Sequence, residues 1–457
     1  MIILQTPRTD ERDRSDAFHA FARRRADGDV LVPPLLLPEE QRRLYVRRTL
    51  REDHQFRIRN HPEGAQAKFD KLAGAAFKFF RGTALLYYRD YAGTDAHLPR
   101  VFTIGDVHPE NFGVMPNEDG APIFGVNDFD EAFVAPFTYD VKRGAVGFYL
   151  IAKQNGLKKK KRRKVVRAFV RGYLGGLESF ARDDREKWHE FRIDNSPDMI
   201  RELLKGAMEA REDFLADTLD LEKERFVSSE DIVPHSKYVE DFQDVVDAYV
   251  KENDIDADRK RDGFFRVKDV AIKKGSGTAS LGLDRYWILI DGPTDAPDDN
   301  VILEMKQARR SALHGLTPGG DDPDDDEAGL VVKAQNIHLV GGDPYYGRVE
   351  HDDTSFLVRE RSPLKDDIDV DDLDDDELRD YAHICGRTLA QPHARSDEDT
   401  GIMEGDAEKK ILSSIHPDVF TDDVVRFAEA AARRIRKDWK LFKKDHALGA
   451  FAFVHGE

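Results

Sequence analysis

Cysteine is nearly absent. Cys385 stands alone among 457 residues, so an intrachain disulfide is impossible and a reducing compartment fits. Long apolar runs are missing as well, and no stretch approaches the roughly 20 apolar residues of a bilayer-spanning helix. Met1-Ile-Ile-Leu-Gln-Thr-Pro runs straight into Arg8, Asp10, Glu11 and Arg12. Without a basic start and an apolar stretch, this is not expected to be a signal peptide. Positive charge is in deficit, because 71 Lys and Arg face 89 Asp and Glu and leave −18. Such a surface repels duplex nucleic acid and anionic membranes, so bulk nucleic acid and membrane are not expected partners and a cytoplasmic location is expected. The one basic run, Lys158 to Lys164, reads as a solvated helix start or as a localisation or nucleic-acid patch.

Aromatic residues are plentiful. With 28 Phe, 13 Tyr and 3 Trp, the chain can build a sizeable core, and its length allows about three domains. Helical spacing of apolar residues predicts helices over 38–50, 65–92 with an interruption at Arg81-Gly82, 138–182, 197–225, 377–394 and 421–444. Short strands are predicted at 100–105, 122–127, 265–272, 285–290, 301–306 and 355–359. The mixture is α+β. Two aspartate-rich segments, 321–327 and 366–377, read as a mobile insertion and as an acidic loop leading into a helix.

The chemistry concentrates at two strand ends. Ile104-Gly-Asp106-Val-His108-Pro-Glu110-Asn111 is followed by Asn127-Asp128-Phe129-Asp130-Glu131. Carboxylates crowded in this way repel one another unless a cation or a proton intervenes. Oxygen ligands without a His or Cys cluster favour Mg²⁺. An Asp-x4-Asn followed by a strand ending in Asp is the arrangement of kinase-type phosphoryl transfer. In that scheme Asp106 accepts the proton of the acceptor hydroxyl, and Asn111, Asp128 and Asp130 are the candidate metal ligands. Turn residues at strand ends would also explain them. His108 orients the loop or approaches phosphate, and Glu110 is expected to be solvated. Asp140 caps the helix that follows or reaches back to the 105–111 loop.

A second cluster lies between two predicted strands. Gly275, Gly277, Ser280 and Gly282 leave backbone N–H groups open to close approach by phosphate. An ordinary hairpin is the bland alternative. The next strand, Val301-Ile-Leu-Glu-Met-Lys306, places a lysine where a kinase-type site needs one. Alternation puts Ile302, Glu304 and Lys306 on one face and Leu303 and Met305 on the other.

Together these residues resemble the bacterial and archaeal family called domain of unknown function 2252, itself similar to distant relatives of protein kinases and aminoglycoside phosphotransferases. The matching pieces are Phe79-Phe-Arg81-Gly82, Gly105 to Gly113, Asn127 to Ala132, Tyr139-Asp-Val-Lys-Arg143, Gly277 to Gly282, Met305-Lys306-Gln-Ala308 and Cys385 to Arg395. The resemblance spans about residues 40–445. It implies a kinase-like two-lobe fold, with Asp106–Asn111 preceding the glycines as in a circular permutation, and extra N- and C-terminal helices. Four segments are then expected: an N-terminal helical segment 1–98, a mostly helical catalytic and metal lobe 99–235, a strand-rich nucleotide lobe 236–365, and C-terminal helices 366–457. Two departures stand out. Ala279 replaces the middle glycine of the family loop, and Pro392 enters a helix that the family keeps free of proline, where it should end or kink that helix.

The expected function is ATP- and Mg²⁺-dependent phosphoryl transfer to a hydroxyl acceptor. Gly275, Gly277, Ser280, Gly282 and Lys306 would hold the nucleotide triphosphate. Arg81 and Arg395 either contact phosphate or pair with carboxylates. A nucleotide-binding pseudoenzyme and a metal-dependent phosphate-ester hydrolase are the alternatives. The hydrolase would not need Lys306.

Overall fold

A computed structural model describes residues 33–255, 261–274, 281–294, 296–317, 326–364 and 366–454. Five helices come first: α1 (Glu39–Asp53), α2 (Gln55–Asn60), α3 (Pro62–Gly74), α4 (Ala76–Arg81) and α5 (Ala84–Tyr91). The helix expected over 65–92 is therefore three. Ala75 is extended after Gly74, and Gly82 interrupts again, since glycine gives up helical geometry cheaply. Next, β1 (Arg100–Thr103) pairs antiparallel with β4 (Phe133–Pro136). They enclose the hairpin β2 (Phe112–Pro116) and β3 (Pro122–Val126). Its turn is closed by Asn117, whose side-chain oxygen accepts the amides of Asp119 and Ala121 at 3.1 and 2.9 Å.

The span expected as one helix over 138–182 is two, α6 (Thr138–Gln154) and α7 (Lys159–Asp183). They part at Gly156, which has φ +80°, the left-handed conformation in which helices commonly end on glycine. After α8 (Asp198–Glu209) and α9 (Arg211–Thr218) come β5 (Leu219–Asp220), β6 (Arg225–Phe226), β7 (Ile232–Pro234) and α10 (Val239–Glu252). Then follow β8 (Val267–Lys273), β9 (Arg285–Ile290), β10 (Val301–Gln307), α11 (Glu327–His338), β11 (Gly347–His351) and β12 (Thr354–Glu360). The chain closes with α12 (Asp375–Ala394), α13 (Ala407–Ser413) and α14 (Pro417–Ala447). The fold is mixed α+β.

Helices α6, α7, α12 and α14 form one apolar body with α1 to α5 and the two short sheets. The crossing of α7 and α12 is close because both lack side chains at the contact. A Cβ on Gly172 would lie 2.0 Å from the His383 carbonyl oxygen, and one on Gly386 2.0 Å from that of Phe169. The basic run is absorbed here: Lys159 and Arg163 pair with Glu429 of α14, and Lys161 pairs with Asp375 of α12. The acidic segment that follows β12 ends in a capping box, in which Asp374 accepts the amides of Asp376 and Glu377 and Glu377 returns to the Asp374 amide.

The larger sheet has six strands in the order β11-β12-β10-β9-β8-β7. Its neighbours are all antiparallel. One face carries Val270, Ile288, Leu303, Met305 and Val358 against Phe242, Val246 and Tyr249 of α10. The other carries Ala271, Trp287, Leu289 and Ile302 against Leu215, Leu219 and Phe226. The alternation expected for β10 is thus observed, with Leu303 and Met305 on one face and Ile302 on the opposite one.

Candidate active site

Gly105 opens the first loop with φ +79°. A Cβ there would lie 1.8 Å from the Glu131 carbonyl oxygen, so only glycine fits between the two loops. Asp140, fully buried in the first turn of α6, fixes this corner. Its carboxylate accepts the Ile104 amide at 2.7 Å and the Gly105 amide at 2.9 Å. His393 of α12 lies 3.1 Å from the same carboxylate, and Tyr173 of α7 meets the other ring nitrogen at 2.8 Å. Asp140 is therefore a clamp on the loop and not a helix cap. Tyr88 donates to the Gly105 carbonyl.

Asp106 faces Arg143, whose Nε donates to Asp106 Oδ1 at 2.7 Å. Arg143 is buried against the Phe80 ring, 4.3 Å from its centre. Burial alone would depress this guanidinium, but Asp106 more than offsets it and keeps Arg143 charged. The Asn111 side-chain amide donates to the Asp106 carbonyl at 2.8 Å. That use of the NH₂ group leaves the Asn111 side-chain oxygen as an acceptor or ligand. His108 Nδ1 accepts the Glu110 amide at 3.2 Å, and burial holds the imidazole neutral. Arg81 lies against His108 and pairs with Glu110, so Glu110 is paired rather than simply solvated. Asp106 and Asp128 both attract the Arg81 guanidinium.

The second loop meets the larger sheet. Lys306 of β10 pairs with Asp130, across 176 residues of sequence. Burial would raise the Asp130 carboxyl, but Lys306 overrides this and holds it ionised. Asp128 behaves differently. Burial first, and then repulsion from Asp130, raise it despite the attraction of Lys306 and Arg359. Asp128 Oδ1 also accepts the Asp130 amide at 3.2 Å. Glu131 turns away to Arg309, to the Ala312 amide and, through its carbonyl, to Ser311 at 2.9 Å. Glu304, one full alternation before Lys306, is held by Arg359 at 2.8 Å and Arg285 at 3.0 Å.

Asp106, Asn111, Asp128, Asp130, Lys306 and Arg81 are thus brought to one place. Gly275, Gly277 and Ser280 lie outside the described residues, and Gly282 has φ +76° against the start of α3. Among the described residues no group of three His, Cys, Asp or Glu could hold a metal ion. Asn111 and Asp128 still fit Mg²⁺, which keeps several waters and shares its shell with substrate phosphates, so that one or two protein ligands suffice. A cavity of about 60 Å³ behind Phe129, lined by Asn127, Gln335, Tyr346 and Arg359, is far below the roughly 300 Å³ of a ligand pocket.

Residues 59–445 match the family described as "uncharacterized protein conserved in bacteria (DUF2252)". The chain belongs to this family. No curated protein and no solved structure matches it. In this DUF2252 chain the helix bearing Pro392 continues to Ala394 and ends two residues past the proline, so the proline falls in the last turn, where it withholds the N–H that the Thr388 carbonyl would otherwise accept. Arg395 donates to the Ile337 carbonyl at 2.5 Å. It closes the end of α11 and takes no part in the site. Arg143 and His393 lie within the matching pieces Tyr139–Arg143 and Cys385–Arg395 without a role assigned there, and Arg309 and Arg359 were not singled out by sequence patterns. Arg309 follows β10 in a loop and Arg359 lies on β12, and tertiary packing brings them against Glu131 and Glu304.

Proposed function

We propose that the protein is an ATP- and Mg²⁺-dependent phosphotransferase-like enzyme acting on a hydroxyl acceptor. The contact of Lys306 with Asp130 carries the proposal, because it joins the strand after the glycine segment to the Asp106–Asp130 loops. The succession β8, glycine segment, β9, lysine-bearing β10, then helix α11 supports a kinase-like nucleotide lobe, here placed after the catalytic loop in a permuted order. A departure accompanies it. The lysine of protein kinases pairs with a helix glutamate, whereas Lys306 pairs with Asp130, and Glu327 of α11 sits 3.9 Å from Arg310.

In this mechanism Lys306 and the 275–282 backbone hold the phosphates. Asn111 and Asp128 would hold Mg²⁺, which supplies charge neutralisation at the phosphoryl oxygens. Asp106 orients the acceptor hydroxyl and takes its proton as the acceptor oxygen bonds to the terminal phosphorus. The bond from that phosphorus to the bridging oxygen breaks, and ADP leaves. Arg143 keeps the Asp106 carboxylate in place, and the Asp140 clamp sets the loop.

The test is turnover of Mg-ATP, read as ADP release over a panel of small hydroxyl compounds. Asp106→Asn should abolish it while Mg-ATP still binds, because an amide cannot take the proton. Unchanged turnover in that variant sinks the mechanism. Hydrolysis of phosphate esters without ATP, indifferent to Lys306→Ala, would select the hydrolase instead.

A further inference from the structure

A second cavity lies away from the two loops. It measures about 390 Å³ and opens to solvent, which puts it within the size range of small-molecule sites. Helix α11 contributes Val332, Lys333, Asn336 and Ile337 to its lining. Arg348 of β11, the edge strand of the larger sheet, and Thr400, beyond the end of α12, line it as well. The cavity thus sits on a seam where the sheet, α11 and the helical body meet, and such seams are common places for ligand sites.

Its walls are held by bonds that need no ligand. Asn253, at the end of α10, donates to the Arg348 carbonyl at 2.7 Å and accepts the Arg348 amide at 2.8 Å. The Arg348 guanidinium is oriented by Asp326 at 2.9 Å. Arg395 donates to the Ile337 carbonyl at 2.5 Å, and the Thr400 hydroxyl donates to the Arg395 carbonyl at 2.6 Å. None of these residues belongs to the Asp106–Lys306 site. Other faces of α11 turn to that site: Gln335 and Leu339 line the small cavity behind Phe129, and His338 lies 2.6 Å from the Phe102 carbonyl.

We propose that this cavity binds a small organic anion, with its carboxylate or phosphate at Lys333 and Arg348 and its apolar part on Val332 and Ile337. The chemistry of the lining selects that class. Two cations line the cavity, and none of its described lining residues is Asp or Glu. In a chain of net charge −18 this is a local reversal of sign, which favours anions. Arg348 gives Asp326 one nitrogen, and a guanidinium carries five N–H donors in a planar fork that matches carboxylate and phosphate. Asn336 offers a donor and an acceptor. The Thr400 hydroxyl, whose proton goes to Arg395, keeps its oxygen as an acceptor for a ligand hydroxyl. The proposal does not depend on the phosphotransferase reading.

The experiment titrates citrate, glycerol 3-phosphate and AMP, followed by ligand-observed NMR, into wild type, Lys333→Met, Arg348→Met and Asn336→Trp. Lys306→Met is the active-site control, and choline is the cationic probe. Asn336 is exposed, so tryptophan there fills the cavity without entering the core. At least one anion should bind wild type and Lys306→Met within about twofold of each other and weaken at least about tenfold in each cavity variant. Choline should not bind. The bound anion should also slow hydrogen exchange in wild type over 329–337 and 347–349. Failure of all three anions to bind wild type overturns the proposal, and so does equal binding to wild type and the cavity variants. An anion lost in Lys306→Met but kept in the cavity variants occupies the Asp106–Lys306 site, which refutes this cavity and supports the nucleotide proposal. Should a variant fail to fold, exchange on wild type decides, and protection absent from 329–337 refutes the proposal.

Discussion

Replacing Asp140 with asparagine tests the architecture of the corner that holds the Gly105–Asp106 loop. The carboxylate accepts two backbone amides, Ile104 at 2.7 Å and Gly105 at 2.9 Å, with His393 at 3.1 Å. Hydrogen bonds to a charged group contribute about 1.5–3 kcal/mol each. Asparagine keeps one acceptor oxygen, so one amide stays bonded while the other meets an NH₂ group. The expected loss is about 2–4 kcal/mol. Unfolding entropy near 2.1 cal/mol/K per residue makes a cooperative unit of roughly 400 residues lose about 1 °C per kcal/mol. Asp140→Asn should therefore unfold about 2–5 °C below wild type in a calorimetric scan. Asp140→Ala should fall further, because both buried amides lose their partner. Amide exchange at Gly105 should accelerate, and transfer should drop because Asp106 is the next residue. A melting point within 1 °C of wild type, with Gly105 exchange unchanged, would show that Asp140 does not hold the loop.

Gly386→Ala places a methyl group 2.0 Å from the Phe169 carbonyl oxygen, so overpacking should cost about 1–3 kcal/mol; a rise in melting temperature, as helix propensity alone would give, would contradict the α7–α12 crossing. Burial raises the Glu186 carboxyl to about 7. Between pH 4.5, where the unfolded chain ionises, and about 7 the unfolded state releases its proton first, so this residue makes stability fall as pH rises. Glu186→Gln should flatten that slope and be the more stable form at pH 8, as thermal scans across pH would show. The charge of −18 predicts that stability rises with KCl as self-repulsion is screened, and flat or falling stability from low to high KCl would refute this.

The site was legible where chemistry is local. Asp106, Asn111 and Asp128 announce themselves because they end short strands, and alternation along β10 assigns Lys306 and Leu303 to opposite faces. The meeting of Lys306 with Asp130 is not local, since only the packing of the sheet against the helical body creates it. The buried cations Arg57 and Lys68 escaped notice for a related reason. Helix α2 is only six residues long and α3 carries four charges among its thirteen residues, and no period distinguishes a buried cation from a solvated one. Helix α11 was missed because its apolar residues, Leu330, Val331, Val332 and Ile337, surround the helix rather than forming one stripe, and an aspartate run precedes them. The break at Gly82 was expected, whereas those at Gly74 and Gly156 were not, and α10 went unread although Phe242, Val245, Val246 and Tyr249 recur at helical spacing.

The most direct test of the central claim is calorimetric titration of ATP into wild type and Lys306→Met, with and without Mg²⁺. The account predicts Mg²⁺-dependent binding by wild type and a loss of at least about tenfold in the variant, with the fold intact by thermal scan. A wild-type protein that binds no nucleotide with Mg²⁺ or Mn²⁺, or a Lys306→Met protein that binds it equally well, would contradict the claim.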